Sequence, residues 1–587
     1  MSHKILLFNV RRYLGRPSDN SSDYPGIFYL AAVLEEKGYD PWVFHGFTHE
    51  VPEIIEREIS SRNIVATGFT CDFENRTAVE ELSLFIKETY GFPVIIGGPQ
   101  AIDLKEDFFL RSRCDYILRG EGEETFPLLM DYIVKGEGKK EDIKNLVWMD
   151  NEQKLKQNPP GKPVEDLDNL PFPAYHRSLH KNRKYGHTIF TGRGCPFSCA
   201  FCYESSHEKK IRLRSIASVI EEIKHNFDLY PSLNYIAVLD DTFTLNPQRV
   251  EEFCNEINKL RREKDFVWYC EAHIHTLYKW PEMIHRMAKS GLVRLQIGVE
   301  TGNQHILNMY GKQITLEEIE AVIDETVKAG ISQIATNLIT GGAMESDETI
   351  AITMAFAEKL LRKAPGVIDI MTGFLRPYPG TAIAARPDDF GLTILDKDGI
   401  KSFDDFPLVK GHEASVEDIV RYRQKVNNHI FNTMKELLRN NLVPYETILS
   451  HYKNACRYGI TSMWYFDFFK KNQLLDEYFR LIWKGEAVRF TEVPSEELLS
   501  WRPLRTVEIR RAVNFSDGYP KISDYVLSPL EFELLLRCSG KLNFKEVLES
   551  LYMIFGGNFK DMDEFKLNIL NLINTFDKKY WVIFCKF

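Results

Sequence analysis

The chain has 587 residues, 44% hydrophobic and 27% charged. Its 74 basic residues stand against 84 acidic ones, a formal net charge of −10. That length exceeds one core, and the composition excludes a disordered or collagen-like chain and a disulfide scaffold. The acidic balance argues against a nucleic-acid surface.

Short apolar runs alternate with amphipathic stretches from the start. KILLFNV, PWVFHGF, NIVATGFT, FPVIIGG and CDYILRG read as strands. GIFYLAAVLEEKGY and RTAVEELSLFIKETYG read as helices between them. Buried strands alternating with helices predict a parallel sheet, so residues 1–150 read as a doubly wound, Rossmann-like domain. Ligands of such sheets bind at the carboxyl ends of the strands. Residues 151–180, rich in proline and polar groups, read as a linker.

A second alternation covers 181–400. HTIFTGR, YIAVLDD, FVWYCEAH, RLQIGVE, QIATNLITG and DIMTGFLRPYP are six strand candidates separated by charged helices. Six β/α units predict a full or partial barrel with its chemistry at the strand carboxyl ends. Residues 401–504 read as helical, with an aromatic run, MWYFDFF, expected to pack against the barrel. Residues 505–587 read as a small domain: a hairpin from TVEIRRAVNF and YPKISDY, two helices, and a final strand in YWVIF. Ser528 and Glu531 form a capping-box pattern.

No run of ~18 uncharged apolar residues occurs, so no membrane span is expected. The N-terminus lacks a signal-peptide layout, and ten scattered cysteines then suit a reducing cytoplasm. Cys71, Cys114, Cys254, Cys270, Cys456, Cys538 and Cys585 read as small buried hydrophobes.

The remaining three cysteines are concentrated in GRGCPFSCAFC, Gly192 to Cys202. A structural zinc site wants four ligands, but Cys195, Cys199 and Cys202 give three, and no Cys or His sits at a zinc-like offset. A zinc-thiol binding module is therefore the weaker alternative. Three thiolates on a cubane iron–sulfur cluster leave one iron open for a substrate or cofactor.

C-x-x-x-C-x-x-C after the first strand of a β/α barrel resembles the radical S-adenosylmethionine (SAM) superfamily. The resemblance implies a 4Fe-4S cluster on the three cysteines, SAM chelating the open iron, and reductive cleavage to a 5′-deoxyadenosyl radical. It implies Phe201 near the adenine, Asp240 and Asp241 of VLDDTFT near SAM, and Glu300 and Thr301 of QIGVETGN facing the ribose. LRPYPGT resembles the sixth-strand end that closes on adenine.

In the first domain, VIIGGPQAI ends a strand in paired glycines, which allow close backbone approach to a ligand. With ATGFTC, RGEGEETF and DLDNLPFPAY, this order resembles cobalamin-binding radical SAM enzymes. It implies that Thr70, Gly97, Gly98, Gly122 and Glu123 contact cobalamin. D-x-H-x-x-G is absent after the first strand, where NVRRYLGRPSDN stands. No histidine ligand to cobalt is expected; the turn 69–73 would lie beneath the metal, and His45 and His49 read as surface or capping residues.

The pairing of cofactors implies a C-methyltransferase for an unactivated carbon of a peptide or small-molecule substrate. Cyclisation or rearrangement is the alternative outcome, and an external donor such as flavodoxin or ferredoxin would supply electrons. A methylthiotransferase would need a second cysteine trio; the first domain has only Cys71 and Cys114. The C-terminal strands and helices resemble winged-helix domains that recognise leader peptides.

Overall fold

The computed structural model describes residues 3–11, 25–59, 63–179, 186–395, 406–471, 473–507, 513–516, 519–522 and 525–586. Much of the NVRRYLGRPSDN stretch and residues 508–512 of TVEIRRAVNF therefore lie outside the described residues. The chain divides into two compact units, one of residues 1–364 and 370–431, the other of 365–369 and 432–587.

The first unit opens with β1 (Lys4–Arg11), α1 (Pro25–Glu36), β2 (Asp40–Phe47), α2 (Val51–Ile59), β3 (Ile64–Thr70), α3 (Arg76–Tyr90) and β4 (Val94–Gly97). It continues with α4 (Glu106–Ser112), β5 (Tyr116–Leu118), α5 (Thr125–Met130), β6 (Leu146–Met149) and β7 (Leu155–Gln157). These strands form one sheet in the order β2-β1-β3-β4-β5-β6-β7. β1 to β5 are parallel, as their near-continuous apolar sequences require, and β6 and β7 add an antiparallel edge. The chain reverses direction across the sheet between β1 and β3, which is where doubly wound sheets take their ligands. Each face carries its own core, with Phe8 and Phe69 on one side and Leu7, Phe28 and Ile95 on the other.

Residues after Gln157 run in 3₁₀ turns rather than as a free tether. Tyr175 is buried and its hydroxyl donates to the Thr188 carbonyl at 2.6 Å. His45 lies inside β2 and is buried, because the parallel register places it beside Asn9 of β1 rather than beyond the strand end. That corrects the expectation of a surface role; His49 is exposed and stacks on Phe47.

The second sheet begins with β8 (Gly186–Ile189). Then come β9 (Gly192–Arg193), α6 (Tyr203–His207), β10 (Arg212–Leu213), α7 (Ile216–Leu229), β11 (Tyr235–Val238), α8 (Pro247–Glu263) and β12 (Val267–Ala272). After α9 (Ile274–Lys279) and α10 (Glu282–Lys289) come β13 (Leu292–Glu300), α11 (Gln304–Met309), α12 (Leu316–Lys328), β14 (Gln333–Thr340), α13 (Asp347–Lys363) and β15 (Ile368–Phe374). The order β15-β14-β13-β12-β11-β8 makes a six-stranded partial (β/α)6 barrel. The helices begin at capped positions, such as the Thr315–Glu318 capping box of α12, and turn one apolar stripe to the strands.

In the second unit, helices run over Tyr445–Tyr458, Gln473–Trp483, Pro529–Arg537, Phe544–Phe555 and Met562–Lys578. The aromatic run packs within this unit: Trp464, Phe468 and Phe469 are buried, and the Trp464 indole donates to the Ile368 carbonyl at 2.8 Å. The hairpin pairs Val513–Ser516 with Tyr519–Ile522, and the final strand Val582–Cys585 pairs with Arg502–Arg505 ahead of it. Ser528 and Glu531 close their capping box. Cys456 is exposed and Cys585 half-buried, unlike the other structural cysteines, which are buried.

His451 locks this unit. One ring nitrogen bonds the Gly366 carbonyl at 2.6 Å and the other bonds Ser462 Oγ at 2.9 Å. Burial pushes its pKa down to about 4. An unfolded histidine, at roughly 6.5, takes up a proton that the folded one refuses. Stability from this group is therefore complete above pH ~6.5 and falls as pH drops toward 4, by roughly 3 kcal/mol in all. Urea denaturation followed by tryptophan fluorescence should show that loss in the wild type between pH 7 and pH 4.5, and a smaller one in His451→Gln.

Candidate active site

The cysteine loop leaves the end of β8 and is closed at its base by two residue pairs, Arg193 with Arg212 and Gly192 with Leu213. Gly194 has φ +93, and a Cβ there would strike the Lys210 carbonyl, so only glycine makes this turn. The Cys195 amide donates to the Glu208 carbonyl at 2.9 Å and the Ala200 amide to the Tyr310 carbonyl at 2.8 Å. The hydroxyl of Ser205 reaches the Cys199 carbonyl and that of Ser206 the Cys202 carbonyl. All three thiols are free; Cys195 and Cys199 are buried and Cys202 half-buried. Burial pushes the Cys199 thiol up to about 11, opposed by Lys312, and burial also raises Cys202.

Asp240 and Asp241, at the end of β11, hold this loop from below. Asp240 accepts from the Thr191 amide at 2.6 Å, the Gly192 amide at 3.2 Å and the Thr191 hydroxyl. Burial raises its pKa to about 6 despite those donors. Asp241 accepts from the Gly194 amide at 3.0 Å.

Glu300 closes β13 with φ +66, a conformation costly for a residue with a side chain, and the pairing with β14 shifts register there. The bend returns its carboxylate to the buried Lys312 ammonium, 2.6 Å away. Burial alone would lower the Lys312 pKa; Glu300, Cys199 and Cys202 outweigh it and raise it. A fixed cation thus sits beside the thiols. It also lies 5.7 Å from the Phe201 ring centre, and Phe201 packs edge-on against Tyr310 at 5.3 Å. Leu375, from LRPYPGT, belongs to the same apolar cluster as Phe201.

Thr301 turns elsewhere. Its hydroxyl is 3.0 Å from that of Thr353 on α13. His273, past the end of β12, stacks on Phe197 of the cysteine loop with ring centres 3.6 Å apart. Burial, aided by Lys312, pushes its pKa down to about 3, so the ring is neutral.

In the first sheet, a small cavity of about 60 Å³ opens at the strand carboxyl ends. Leu7, Ile27, Leu30, Phe69 and Phe126 give it apolar walls, while Thr70, Gly97, Gly98 and Gly122 form its backbone-lined side. Gly98 has φ +92 and lies against the Cys71 backbone. The turn above is fixed by Asn75, whose side-chain amide donates to the Val10 and Thr70 carbonyls. Glu123 does not line the cavity; its carboxylate meets Arg193 at 2.6 Å.

The cavity and the cysteine loop adjoin. Tyr203, one residue past Cys202, donates to the Pro99 carbonyl at 2.6 Å, one residue past Gly98. Phe73 packs edge-on against Tyr378 at 5.3 Å. A wide cleft of about 650 Å³, lined by Gly98, Gly120, Tyr203 and His207 among others, runs between the two. No local sequence pattern marks Lys312, Arg193 or His273; the family position of Glu300 points to a strand end, but nothing in the intervening residues signals a lysine twelve residues on.

Two features bear on which group the site fits. Among the described residues, no three His, Cys, Asp or Glu side chains converge as they would around one ion. A single tetrahedral ion requires convergence, whereas a four-iron cube takes one thiolate per iron. A glycine-lined apolar slot at the chain-reversal point suits the tail of a large nucleotide-like cofactor, and a Cβ on Gly98 would not fit beside Cys71.

The profile of the radical SAM superfamily matches residues 189–357. An uncharacterized methyltransferase of Pyrococcus horikoshii is 28% identical over 371 residues, covering 61% of this chain and 77% of that protein. The anaerobic magnesium-protoporphyrin IX monomethyl ester cyclase of Rubrivivax gelatinosus is 24% identical over 349 residues, 56% of this chain and 61% of its own length. Among solved structures, the cobalamin-dependent SAM radical enzyme OxsB, with aqua-cobalamin and SAM bound, superposes with TM-score 0.57 at 15% identity. That similarity in fold spans 99% of this chain and 84% of OxsB. No helix among the described residues is long and apolar enough to cross a membrane. With three cysteines on a loop past the first barrel strand and the superfamily profile matching the stretch that carries them, residues 189–357 of the chain form a radical SAM domain.

Proposed function

We propose that this protein is a cobalamin-dependent radical SAM C-methyltransferase acting on an unactivated carbon of a peptide or natural-product substrate. The observation that carries this reading is the adjacency of the glycine-lined cavity and the cysteine loop, joined through Tyr203 and Pro99. Bound there, the cluster with SAM supplies a hydrogen-abstracting radical and cobalamin supplies the methyl group.

Cys195, Cys199 and Cys202 would hold the 4Fe-4S cluster. Lys312, held by Glu300, offsets negative charge beside the thiolates and is placed to meet a carboxylate. Phe201 and Leu375 give an aromatic and apolar wall for an adenine. Asp240 and Asp241 fix the loop that presents the thiols. Thr70, Gly97, Gly98 and Gly122 would cradle cobalamin, with Glu123 positioning that side of the cavity through Arg193 and Thr301 holding the β13 end against α13. With no D-x-H-x-x-G, the face beneath cobalt would be the 69–73 turn, which carries no histidine.

We assign residues 1–150 to cobalamin, 181–400 to SAM and 505–587 to substrate capture, with the location cytoplasmic and a flavodoxin or ferredoxin as donor. A leader peptide would pair with a strand edge of the C-terminal region.

Turnover with methyl-labelled SAM tests the reading. Two SAM should be consumed per product, one leaving as S-adenosylhomocysteine and one as 5′-deoxyadenosine, with the label in the product. An unlabelled product formed with 5′-deoxyadenosine alone would assign the chain to cyclisation, the reaction named for the Rubrivivax relative.

A further inference from the structure

Gly122 lines the cavity, and its two neighbours are acidic. Both acids turn away from the cavity toward the base of the cysteine loop. Arg193 forks between them, Nη1 to Glu121 at 2.7 Å and Nη2 to Glu123 at 2.6 Å. Arg212, paired with Arg193 across the two-strand clip, donates to both oxygens of Glu121, at 2.7 and 3.0 Å. Arg212 also pairs with Glu208, whose carbonyl holds the Cys195 amide. The Arg193 guanidinium lies 5.5 Å from the ring centre of Tyr29 on α1, the helix that gives the cavity Ile27 and Leu30.

The side chains are shielded, Arg212 at 2% exposure, Glu123 at 6%, Arg193 at 17% and Glu121 at 18%. Such pairs are little screened by salt and hold a defined geometry through the planar fork. The contacts therefore form an unbroken path from the cavity wall to the backbone amide of Cys195, through two arginines that bracket the cysteine loop.

We propose that Arg193 is a positioning residue that couples occupancy of the glycine-lined cavity to the geometry of the cysteine loop. The inference rests on the reading that cobalamin fills that cavity. The requirement is physical: two groups held by loops on different sheets must meet one substrate carbon, and reacting atoms need to stand about 3–3.5 Å apart. A ligand pressing on Gly122 moves Glu121 and Glu123, and the fork carries that displacement to Arg193 and the clip.

Hydrogen exchange on the full chain tests this, with aqua-cobalamin as the probe. In the wild type, aqua-cobalamin is expected to slow exchange in peptides covering 119–124 and also in peptides covering 194–211. In Arg193→Met/Glu123→Gln, which removes the fork without leaving a buried charge unpaired, 119–124 should keep its protection and the cobalamin-dependent protection of 194–211 should fall to what the remaining Glu121–Arg212 contact carries. A purely structural role for Arg193 would loosen the loop equally with and without cobalamin. Equal cobalamin-dependent protection of 194–211 in wild type and variant overturns the proposal while leaving the cavity reading intact. Failure of aqua-cobalamin to protect 119–124 in the wild type overturns the cavity reading, and the coupling with it.

Discussion

Cys199→Ala is expected to fold as the wild type does and to cleave no SAM. The loop is held by Asp240, Asp241, Ser205 and the pairing of Arg193 with Arg212, none of which uses the thiol of Cys199. Loss of one iron ligand should exceed the roughly 10–100-fold effect of losing an outer partner of a metal site. Iron and labile sulfide per chain should fall sharply, and 5′-deoxyadenosine formed under dithionite should drop to background. Wild-type cleavage by this variant would remove Cys199 from the ligand set.

Gly97→Leu should separate the two cofactors in the opposite sense. Gly97 lines the cavity, and a Cβ there meets nothing closer than the Leu118 carbonyl at 3.9 Å. Leucine can therefore enter without backbone strain and occupy the slot itself. Cobalamin binding, read from its visible absorption after gel filtration, should be lost. Iron content and dithionite-driven SAM cleavage should stay within about twofold of wild type, because the substitution is remote from the thiols. Gly98→Ala is a poorer probe: at φ +92 and ψ 179, a region essentially reserved for glycine, with the Cys71 backbone alongside, it should cost about 1–3 kcal/mol of stability before any ligand is considered. Full cobalamin occupancy in Gly97→Leu would place the cofactor elsewhere.

Much of the architecture could be read from runs of apolar residues. β1 to β5 and the six barrel strands announce themselves because parallel strands are buried on both faces. The β6–β7 hairpin escaped, since an edge strand such as Leu155–Gln157 carries polar residues and lies in what reads as a linker. The thiols were legible because three cysteines so close have few other uses. Lys312 was not, because it reaches Glu300 only through a left-handed residue and a register shift that no local pattern encodes. Glu123 and Thr301 were found as members of motifs, but their partners, Arg193 and Thr353, come from distant segments. Sequence proximity to a cavity or strand end does not say which way a side chain turns.

The clip of Arg193 and Arg212 also bears on how the cluster is acquired. Closing a free segment the length of 194–211 costs roughly 2–3 kcal/mol in chain entropy. Here the protein meets that cost with two backbone pairs, Gly194 and the carboxylates of Asp240 and Asp241, before any iron arrives. Assembly then has only to deprotonate and bridge thiols whose loop is already drawn together. Oxidative loss of iron, by the same reasoning, leaves a closed, refillable loop rather than an unravelled one, so damage by oxygen is reversible by reconstitution without refolding of the chain.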